Sequence, residues 1–267
     1  MAAKPSIAVC ALTGFGNAVL RALAKAGHTP RFVVTRPEGG FYPYYDETDL
    51  TADANKLGID CHFDRDGEAR IVADKPDLVL VATYHRILGP RIRQAPRRIV
   101  NLHPSLLPRD RGPNPFFWVL RNGEKRTGLT AHQLTGDVDA GEIYWQRAFD
   151  IAPGETQGSL RRRLAALAGK AAVDVVKRFA TGKLAGKAQD ESKATAKGRP
   201  TDLDRTISAD QTVEEALRIA RATAPYPGAL IGGRSVRDVE RTTRGASDNV
   251  LRLRDGAIRF AAAKEAP

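Results

Sequence analysis

The chain has 267 residues, of which 42% are hydrophobic, enough for one large domain or two smaller ones. Its formal net charge of +11 favours anionic partners. The chain has no apolar run long enough to span a bilayer, and its N-terminus lacks the pattern of a signal peptide, so we expect a cytoplasmic protein without a membrane partner.

Residues 6–35 have the pattern of a βαβ unit: an apolar strand, a glycine-rich turn, an amphipathic helix and a second strand. Gly14 and Gly16 form a GxG turn, but Val19 stands where a dinucleotide-binding fingerprint has its third glycine. A tight strand-to-helix turn is therefore favoured over an NAD site.

The rest of the first 182 residues continues this pattern. Apolar residues run without alternation from Leu78 to Ala82, which is typical of a buried parallel strand. Asn114 is the expected N-cap of a helix with Pro115 in its first position. In chain order we predict a helix at 46–58, strands at 59–61, 78–82 and 97–103, a helix at 114–122, strands at 127–135 and 141–151, and a helix at 156–180.

Residues 183–202 are rich in Gly, Lys, Ala and Thr and have the composition of a linker. A helix at 211–223 and short strands at 228–232, 235–240, 249–253 and 257–261 are predicted beyond it. The fold class is therefore α/β, with a Rossmann-like, mostly parallel sheet in residues 1–182 and a small β-rich domain in residues 203–267.

Much of the excess charge lies in residues 161–199, where eleven Lys and Arg stand against three Asp and Glu. A solvated helix followed by a charged linker would explain this segment, and a surface that binds an anionic substrate would explain it too. Both interpretations stay open.

The stretch "VNLHPSLLPRDRGPNP", residues 100–115, places an amide and an imidazole at the end of an apolar strand. Asn101 and His103 are two residues apart, so in an extended chain both side chains point to the same side, about 6 to 7 Å apart. His103 can transfer a proton near neutral pH, and the Asn101 amide can donate a hydrogen bond to an oxyanion. A structural histidine at a strand end is the alternative.

A carboxylate for this histidine is available in the loop "GDVDAG", residues 136–141. Asp139 is preferred over Asp137, because it precedes small residues and a strand and can approach the site closely. An Asn, His and Asp set without a nearby Ser or Cys nucleophile indicates acyl transfer directly between two bound molecules.

Residues 101–143, which contain N-L-H-P-S-L-L-P, the strand T-G-L-T-A-H and the loop D-A-G, resemble the core of the folate-dependent formyltransferases. That family includes phosphoribosylglycinamide, methionyl-tRNA and amino-sugar formyltransferases and related hydrolases. The resemblance implies an enzyme that takes a formyl group from 10-formyltetrahydrofolate without a metal. It also implies that Asn101, His103 and Asp139 are the catalytic residues.

Two further segments match the folate site of that family. "ATYHRILGP", residues 82–90, is similar to the segment that holds the pterin ring, and "QLTGDVD", residues 133–139, to the opposite wall. The resemblance implies that the cofactor-binding residues are His85, Arg86, Ile87, Leu88, Leu134, Gly136 and Val138. His132 matches a histidine found in some members, although an ordinary histidine in a half-buried strand is an equal alternative.

The segments "QDESKATAKGRPTD" and "RATAPYPGALI" resemble the linker and turn that lead to a small OB-like domain in tRNA and sugar formyltransferases. The glycinamide enzyme lacks this domain, so that activity is disfavoured. Such a domain often serves dimerisation, so a homodimer is one candidate assembly, with a monomer as the alternative.

Three functions remain. A small-molecule acceptor, an amino sugar linked to a nucleotide, is favoured because residues 36–51 lack the basic insertion of tRNA enzymes. Arg109 and Arg111 are then candidates to bind its pyrophosphate. The aromatic residues Phe41, Tyr42, Tyr44 and Tyr45 are candidates to stack on its base or sugar, with packing of their own loop as the alternative. Methionyl-tRNA is the alternative, supported by the basic segment and the appended domain. A formyltetrahydrofolate hydrolase or a non-catalytic folate-binding protein is the third.

Overall fold

The βαβ unit at the start of the chain is present in the computed structural model, which describes residues 4–37, 44–45, 49–243 and 249–262. Strand β1 (Ile7–Ala11) is buried along its length, and after helix α1 (Phe15–Lys25) strand β2 (Phe32–Thr35) pairs parallel with it. Gly14, before α1, has φ 93°, and a Cβ there would lie 2.3 Å from the Tyr45 ring. The position therefore requires glycine for a tight turn.

The remaining strands of the first sheet follow the predicted order, with two further helices among them. The elements are α2 (Leu50–Lys56), β3 (Asp60–Phe63), α3 (Asp64–Asp74), β4 (Leu78–Ala82), α4 (Pro90–Gln94), β5 (Arg98–His103), α5 (Pro115–Arg121), β6 (Arg126–Gln133), β7 (Ile143–Asp150) and α6 (Gln157–Ala180). Strand β4 is wholly buried and matches its predicted bounds, because a parallel strand covered on both faces needs apolar residues throughout.

The described strands of this sheet have the order β3-β2-β1-β4-β5-β6-β7. Strands β1 to β5 pair parallel, and β6 pairs antiparallel with β5, which sets Asn101 opposite His132 and His103 opposite Thr130. Functional groups of α/β sheets collect at the carboxyl ends of such strands. The end of β5 is therefore where chemistry is expected, and the predicted Rossmann-like, mostly parallel sheet is confirmed.

The helices α3 and α4 were not predicted. Only three residues of α3 are buried, one of them a glycine and one a glutamate, so the segment has a weak amphipathic pattern. Helix α4 has five residues and none of them is buried. Hydrophobic periodicity cannot identify elements of this kind.

The second sheet confirms the predicted small β-rich domain. Strands β8 (Ala229–Ile231), β9 (Arg234–Thr242), β10 (Val250–Leu253) and β11 (Gly256–Ala262) pair antiparallel in the order β10-β11-β9-β8. Helix α7 (Val213–Thr223) begins with a capping box between Thr212 and Glu215. The buried side chains of Val213, Ala216 and Ile219 share a core with the sheet.

Asn114 has the predicted position before α5 but a different role. Its backbone is left-handed, with φ 56°, and its side chain makes no capping hydrogen bond. Instead, its Oδ1 accepts a hydrogen bond of 3.1 Å from Arg161. Pro115 occupies the first helical turn as predicted.

The chain divides into two compact units. The first contains the described residues up to Arg111 with Gly128–Phe149 and Arg162–Ala196, and the second contains Gly112–Thr127, Asp150–Arg161 and the described residues from Lys197. Most of the predicted linker, 183–202, thus belongs to the first unit. In the described part of the chain, no helix is both long and apolar enough to cross a membrane.

Candidate active site

Three side chains predicted to act together meet at the end of β5. Asn101 Nδ2 donates to Asp139 Oδ1 over 3.2 Å, and His103 Nδ1 lies 3.5 Å from Asp139 Oδ2. The side chains of His103 and Asp139 are almost fully buried, with exposed fractions of 6% and 11%. The strand supplies two of these groups and the loop before β7 supplies the third, as the sequence indicated.

The second nitrogen of His103 also has an acceptor. Its Nε2 lies 2.9 Å from the backbone carbonyl of Asp110. A carbonyl only accepts, so Nε2 carries the hydrogen in the neutral ring and Nδ1 is left as the basic nitrogen. Asp139 is therefore placed to stabilise the ring when Nδ1 takes up a proton.

The pKa of His103 is lowered from its ordinary value of 6.5. Burial is the main cause, since loss of water disfavours the charged ring, and the nearby His132 lowers the pKa further. The carboxylate of Asp139 and the carbonyl of Asp110 act in the opposite direction. The imidazole is consequently neutral at rest near pH 7.

His132 belongs to this cluster as well. Its side chain is fully buried on β6, and Nε2 lies 3.2 Å from Asn101 Nδ2 and 3.3 Å from Asp139 Oδ1. Its Nδ1 lies 2.8 Å from the carbonyl of Gln133, so Nδ1 carries the hydrogen and Nε2 accepts from Asn101. His132 thus holds the Asn101 amide in place.

The Asp139 loop is held by tight backbone packing. Asp139 has φ 52°, in the left-handed region that only a few residue types tolerate. At Gly141 a Cβ would lie 2.0 Å from the Gln133 carbonyl oxygen, so only glycine fits between the loop and β6. Gln189 Nε2 donates to the carbonyls of both Asp139 and Gly141, each over 2.8 Å.

The first predicted folate segment, residues 85–88, is supported by carboxylates of α3. His85 Nε2 lies 2.8 Å from Asp64 Oδ1, and Arg86 Nε donates to Glu68 Oε1 over 2.6 Å. Ile87 is 94% exposed, a fraction unusual for so large an apolar side chain. Leu88, by contrast, is buried in a cluster with strand residues such as Val79 and Val81.

The second predicted segment, residues 134–138, is linked to the first. Leu134 packs on the cluster that contains Leu88. Arg93 donates to the Leu88 carbonyl over 2.6 Å, and its Nη2 would lie 3.6 Å from a Cβ at Gly136. Val138 is 66% exposed. Both segments therefore present an uncovered apolar side chain.

The two arginines proposed for a pyrophosphate differ in their environment. Arg111 is engaged within the chain: its guanidinium donates to both carboxylate oxygens of Glu191, over 2.9 and 2.7 Å, and to Gln189. Its side chain is only 11% exposed. Arg109 is in a turn closed by its own N–H to the Leu106 carbonyl.

Of the aromatic cluster, residues 41 and 42 lie outside the described residues. Tyr45 covers Gly14, and the Tyr44 carbonyl accepts from Arg162 over 3.2 Å. Tyr45 thus packs on the turn before α1.

Several side chains of the basic segment 161–199 are used in packing. Arg161 lies 4.0 Å from the ring centroid of Phe116, and Arg163 lies 4.3 Å from that of Phe149. Lys193 pairs with Asp190 over 2.7 Å. These contacts give part of the segment a structural role.

Sequence reasoning missed the contribution of residues 187–196 to this site. Gln189, Glu191 and Thr195 contact the loops of Asp139 and Asp110, although they lie 50 to 85 positions away in the chain. Isolated polar residues in a Lys-rich stretch carry no periodic signal, and only their partners reveal their role.

Comparison with known proteins points to one family. A family model described as "Formyl transferase" matches residues 14–176. The methionyl-tRNA formyltransferase of Anaeromyxobacter dehalogenans is 34% identical over 259 residues, covering 94% of this chain and 80% of the relative. The methionyl-tRNA formyltransferase of Thermotoga maritima is 36% identical over 156 residues, covering 58% of this chain and 50% of the relative.

Solved structures agree on the fold. The Helicobacter canadensis N-formyltransferase, in complex with folinic acid and dTDP-3-aminofucose, has a TM-score of 0.77 at 17% identity and covers 97% of this chain and 100% of that one. HypX from Aquifex aeolicus, in complex with tetrahydrofolic acid, has a TM-score of 0.70 at 18% identity and covers 97% and 44%. With sequence identity along most of its length, this chain belongs to the formyl transferase family of enzymes.

Proposed function

We propose that the enzyme transfers a formyl group from 10-formyltetrahydrofolate to the amino group of methionyl-tRNA. The main structural support for formyl transfer is the buried contact among Asn101, His103 and Asp139. The identity to methionyl-tRNA formyltransferases over most of the chain supports this acceptor over the amino sugar that the sequence favoured.

The proposed reaction begins when the amine attacks the formyl carbon, forming a C–N bond and a negative charge on the carbonyl oxygen. His103 Nδ1 takes the proton that the amine loses, and Asp139 Oδ2, 3.5 Å away, stabilises the resulting imidazolium. The proton then passes to the folate nitrogen as its bond to the formyl carbon breaks. The proposed steps use these side chains and require no metal ion.

Asn101 is proposed to donate to the oxyanion. In the resting site its Nδ2 lies 3.2 Å from both Asp139 Oδ1 and His132 Nε2. One of its two hydrogens therefore has to turn from these acceptors to the oxyanion. Hydrogen bonds made only in the transition state accelerate the reaction most.

The folate is proposed to lie against residues 85–88 and 134–138. The exposed apolar side chains of Ile87 and Val138 fit this role, since an aromatic ring system would remove them from water. The side chains of His85 and Arg86 are held by Asp64 and Glu68, so they are expected to position the loop and present its backbone. The proposed residues are His85, Arg86, Ile87, Leu88, Leu134, Gly136 and Val138.

A nucleotide-linked amino sugar is the second candidate acceptor. Residues 36–51 contain one Arg and four acidic residues, a composition unsuited to a tRNA acceptor stem. Arg109 stays a candidate contact for a pyrophosphate in that case. The pairing of Arg111 with Glu191 makes Arg111 a weaker candidate.

The test measures, by absorbance, the release of tetrahydrofolate from 10-formyltetrahydrofolate. Parallel reactions contain no acceptor, charged initiator tRNA, or nucleotide-linked amino sugars. Turnover with tRNA alone is the expected result. Turnover only with an amino sugar would replace the acceptor, and release without acceptor would indicate a hydrolase. Binding without turnover in all arms would contradict the enzyme function.

A further inference from the structure

Residues 187–196, here named the clip, connect the two loops that surround His103. At one end Lys187 exchanges backbone hydrogen bonds with Ile143 at the start of β7, over 2.8 and 2.9 Å. At the other end Ala196 pairs with Arg111 as an isolated bridge. A segment with the composition of a linker thus forms part of the first compact unit.

The side chain of Gln189 makes four hydrogen bonds. Its Nε2 donates twice, to the carbonyls of Asp139 and Gly141, each over 2.8 Å. Its Oε1 accepts twice from Arg111, over 3.3 Å from Nε and 2.8 Å from Nη2. The amide group of Gln supplies two hydrogen-bond donors on its nitrogen and an oxygen that can accept two hydrogen bonds. A charged side chain of similar size lacks this combination of donors and acceptors.

The far side of His103 is held by the same segment. Thr195 Oγ1 accepts from the Asp110 N–H over 2.9 Å, and the Thr195 N–H donates to the Pro108 carbonyl over 3.1 Å. The Asp110 carbonyl in turn accepts from His103 Nε2. The clip therefore holds the acceptors on both sides of the imidazole.

Both acceptor residues have an unfavourable backbone conformation. Asp110 has φ 57° and Asp139 has φ 52°. Left-handed residues of this kind persist where the surrounding structure fixes them. The Asp139 carbonyl accepts a hydrogen bond from Gln189 Nε2 and the Asp110 N–H donates one to Thr195 Oγ1, so both bonds act as external constraints on the backbone.

We propose that Gln189 is a positioning residue of the reaction, which acts by fixing the Asp139 carboxylate beside His103 Nδ1. The inference rests on the proposed formyl transfer and adds a residue to it. It predicts that loss of the two donated hydrogen bonds lowers kcat while the KM for the formyl donor changes little. A shift of about 1 Å in a catalytic group can reduce the rate by about 100-fold.

The test compares Gln189→Glu and Gln189→Met with Ser192→Ala in the full chain. The glutamate keeps the acceptor for Arg111 but turns a carboxylate toward two carbonyls, and the methionine preserves volume without either set of bonds. Ser192→Ala removes an exposed hydrogen bond to Asp190 within the same clip and leaves its charge unchanged. We expect kcat to fall about 10 to 100-fold in both Gln189 variants and to stay within about twofold in the control.

A second readout separates position from folding. Nitrogen NMR of the His103 imidazole follows its titration in wild type and in each variant. Within the described parts of the chain, the charged or titratable groups that face this ring are Asp139 and the buried His132. A displaced Asp139 therefore changes the titration of the imidazole. A changed titration in Gln189→Met at an unchanged melting temperature supports the proposal. The same titration and the same kcat as in wild type would overturn it.

The two proposals can fail separately. If wild type turns over and both folded Gln189 variants match its kcat, positioning is wrong and formyl transfer stands. If wild type transfers formyl to no acceptor, the proposed function is wrong, and the imidazole titration alone decides the role of Gln189. An unaltered titration in both variants would then overturn it.

Discussion

At the residue scale, the buried His103 links stability to pH. Burial lowers its pKa in the folded protein below 6.5, the value expected in the unfolded chain. Between these two pKa values the unfolded chain binds more protons, so the free energy of unfolding falls as pH drops below 6.5 and levels off below the folded pKa. We expect urea unfolding at a series of pH values to show this loss.

The comparison variant is His103→Gln, which should flatten the profile below pH 6.5. His28 also has a lowered pKa, from partial burial and from Lys4 and Lys177, so His28→Gln is the matched control. Because His28 is less buried than His103, its replacement should change the slope less. An equal change from both variants would contradict the assignment to His103.

Asn101 gives a kinetic prediction at the same scale. Asn101→Ala removes the proposed oxyanion donor and should lower kcat by about 100 to 1,000-fold, with folate affinity largely kept. Stopped-assay turnover and titration calorimetry with folate measure the two effects separately. Asp139→Asn, which keeps the shape and removes the charge, should also lower kcat. Near-wild-type turnover in either folded variant would refute its assigned role.

At the element scale, the turn between β6 and β7 depends on Gly141. A Cβ there would lie 2.0 Å from the Gln133 carbonyl, so Gly141→Ala forces the loop away from β6. We expect the free energy of unfolding to fall by about 1–3 kcal/mol, as for other overpacked sites. Gly136→Ala in the same loop, with its nearest atom 3.6 Å away, should change it by less than about 0.5 kcal/mol. Denaturant unfolding of both variants checks the difference.

The same elements show how far sequence could lead. Strands β4 and β5 were predictable because apolar runs identify buried strands, and Asn101 and His103 follow from their spacing at a strand end. Asp139 was preferred over Asp137 because of the small residues after it. By contrast, the pairing of Arg111 with Glu191 was not predictable, because it is a long-range contact without any local signal.

Helix α3 and the clip were missed for related reasons. The burial of α3 rests on Ile71 and on a glutamate that binds Arg86, so polar partners replace the usual apolar stripe. The clip is held by Gln189 and Thr195 through hydrogen bonds. Amino-acid patterns report burial of apolar surface well and report specific polar pairing poorly.

At the scale of the whole molecule, the net charge of +11 allows a test of the acceptor. If the acceptor is tRNA, kcat/KM for it should fall steeply with salt, because bound phosphates release counterions. Six phosphate contacts correspond to a loss of about 1,000-fold between about 50 and 200 mM salt. An amino sugar with two phosphates would lose far less. The KM for the formyl donor over the same range is the control.

The clip also matters for anyone who exchanges C-terminal domains between such enzymes to change the acceptor. A junction placed directly after α6, at residue 182, would discard Gln189 and Thr195 and replace them with residues suited to another scaffold. A junction after Ala196 would keep the native partners of the Asp110 and Asp139 loops. Chimeras that respect this boundary should keep these two loops in their native arrangement, whatever C-terminal domain follows.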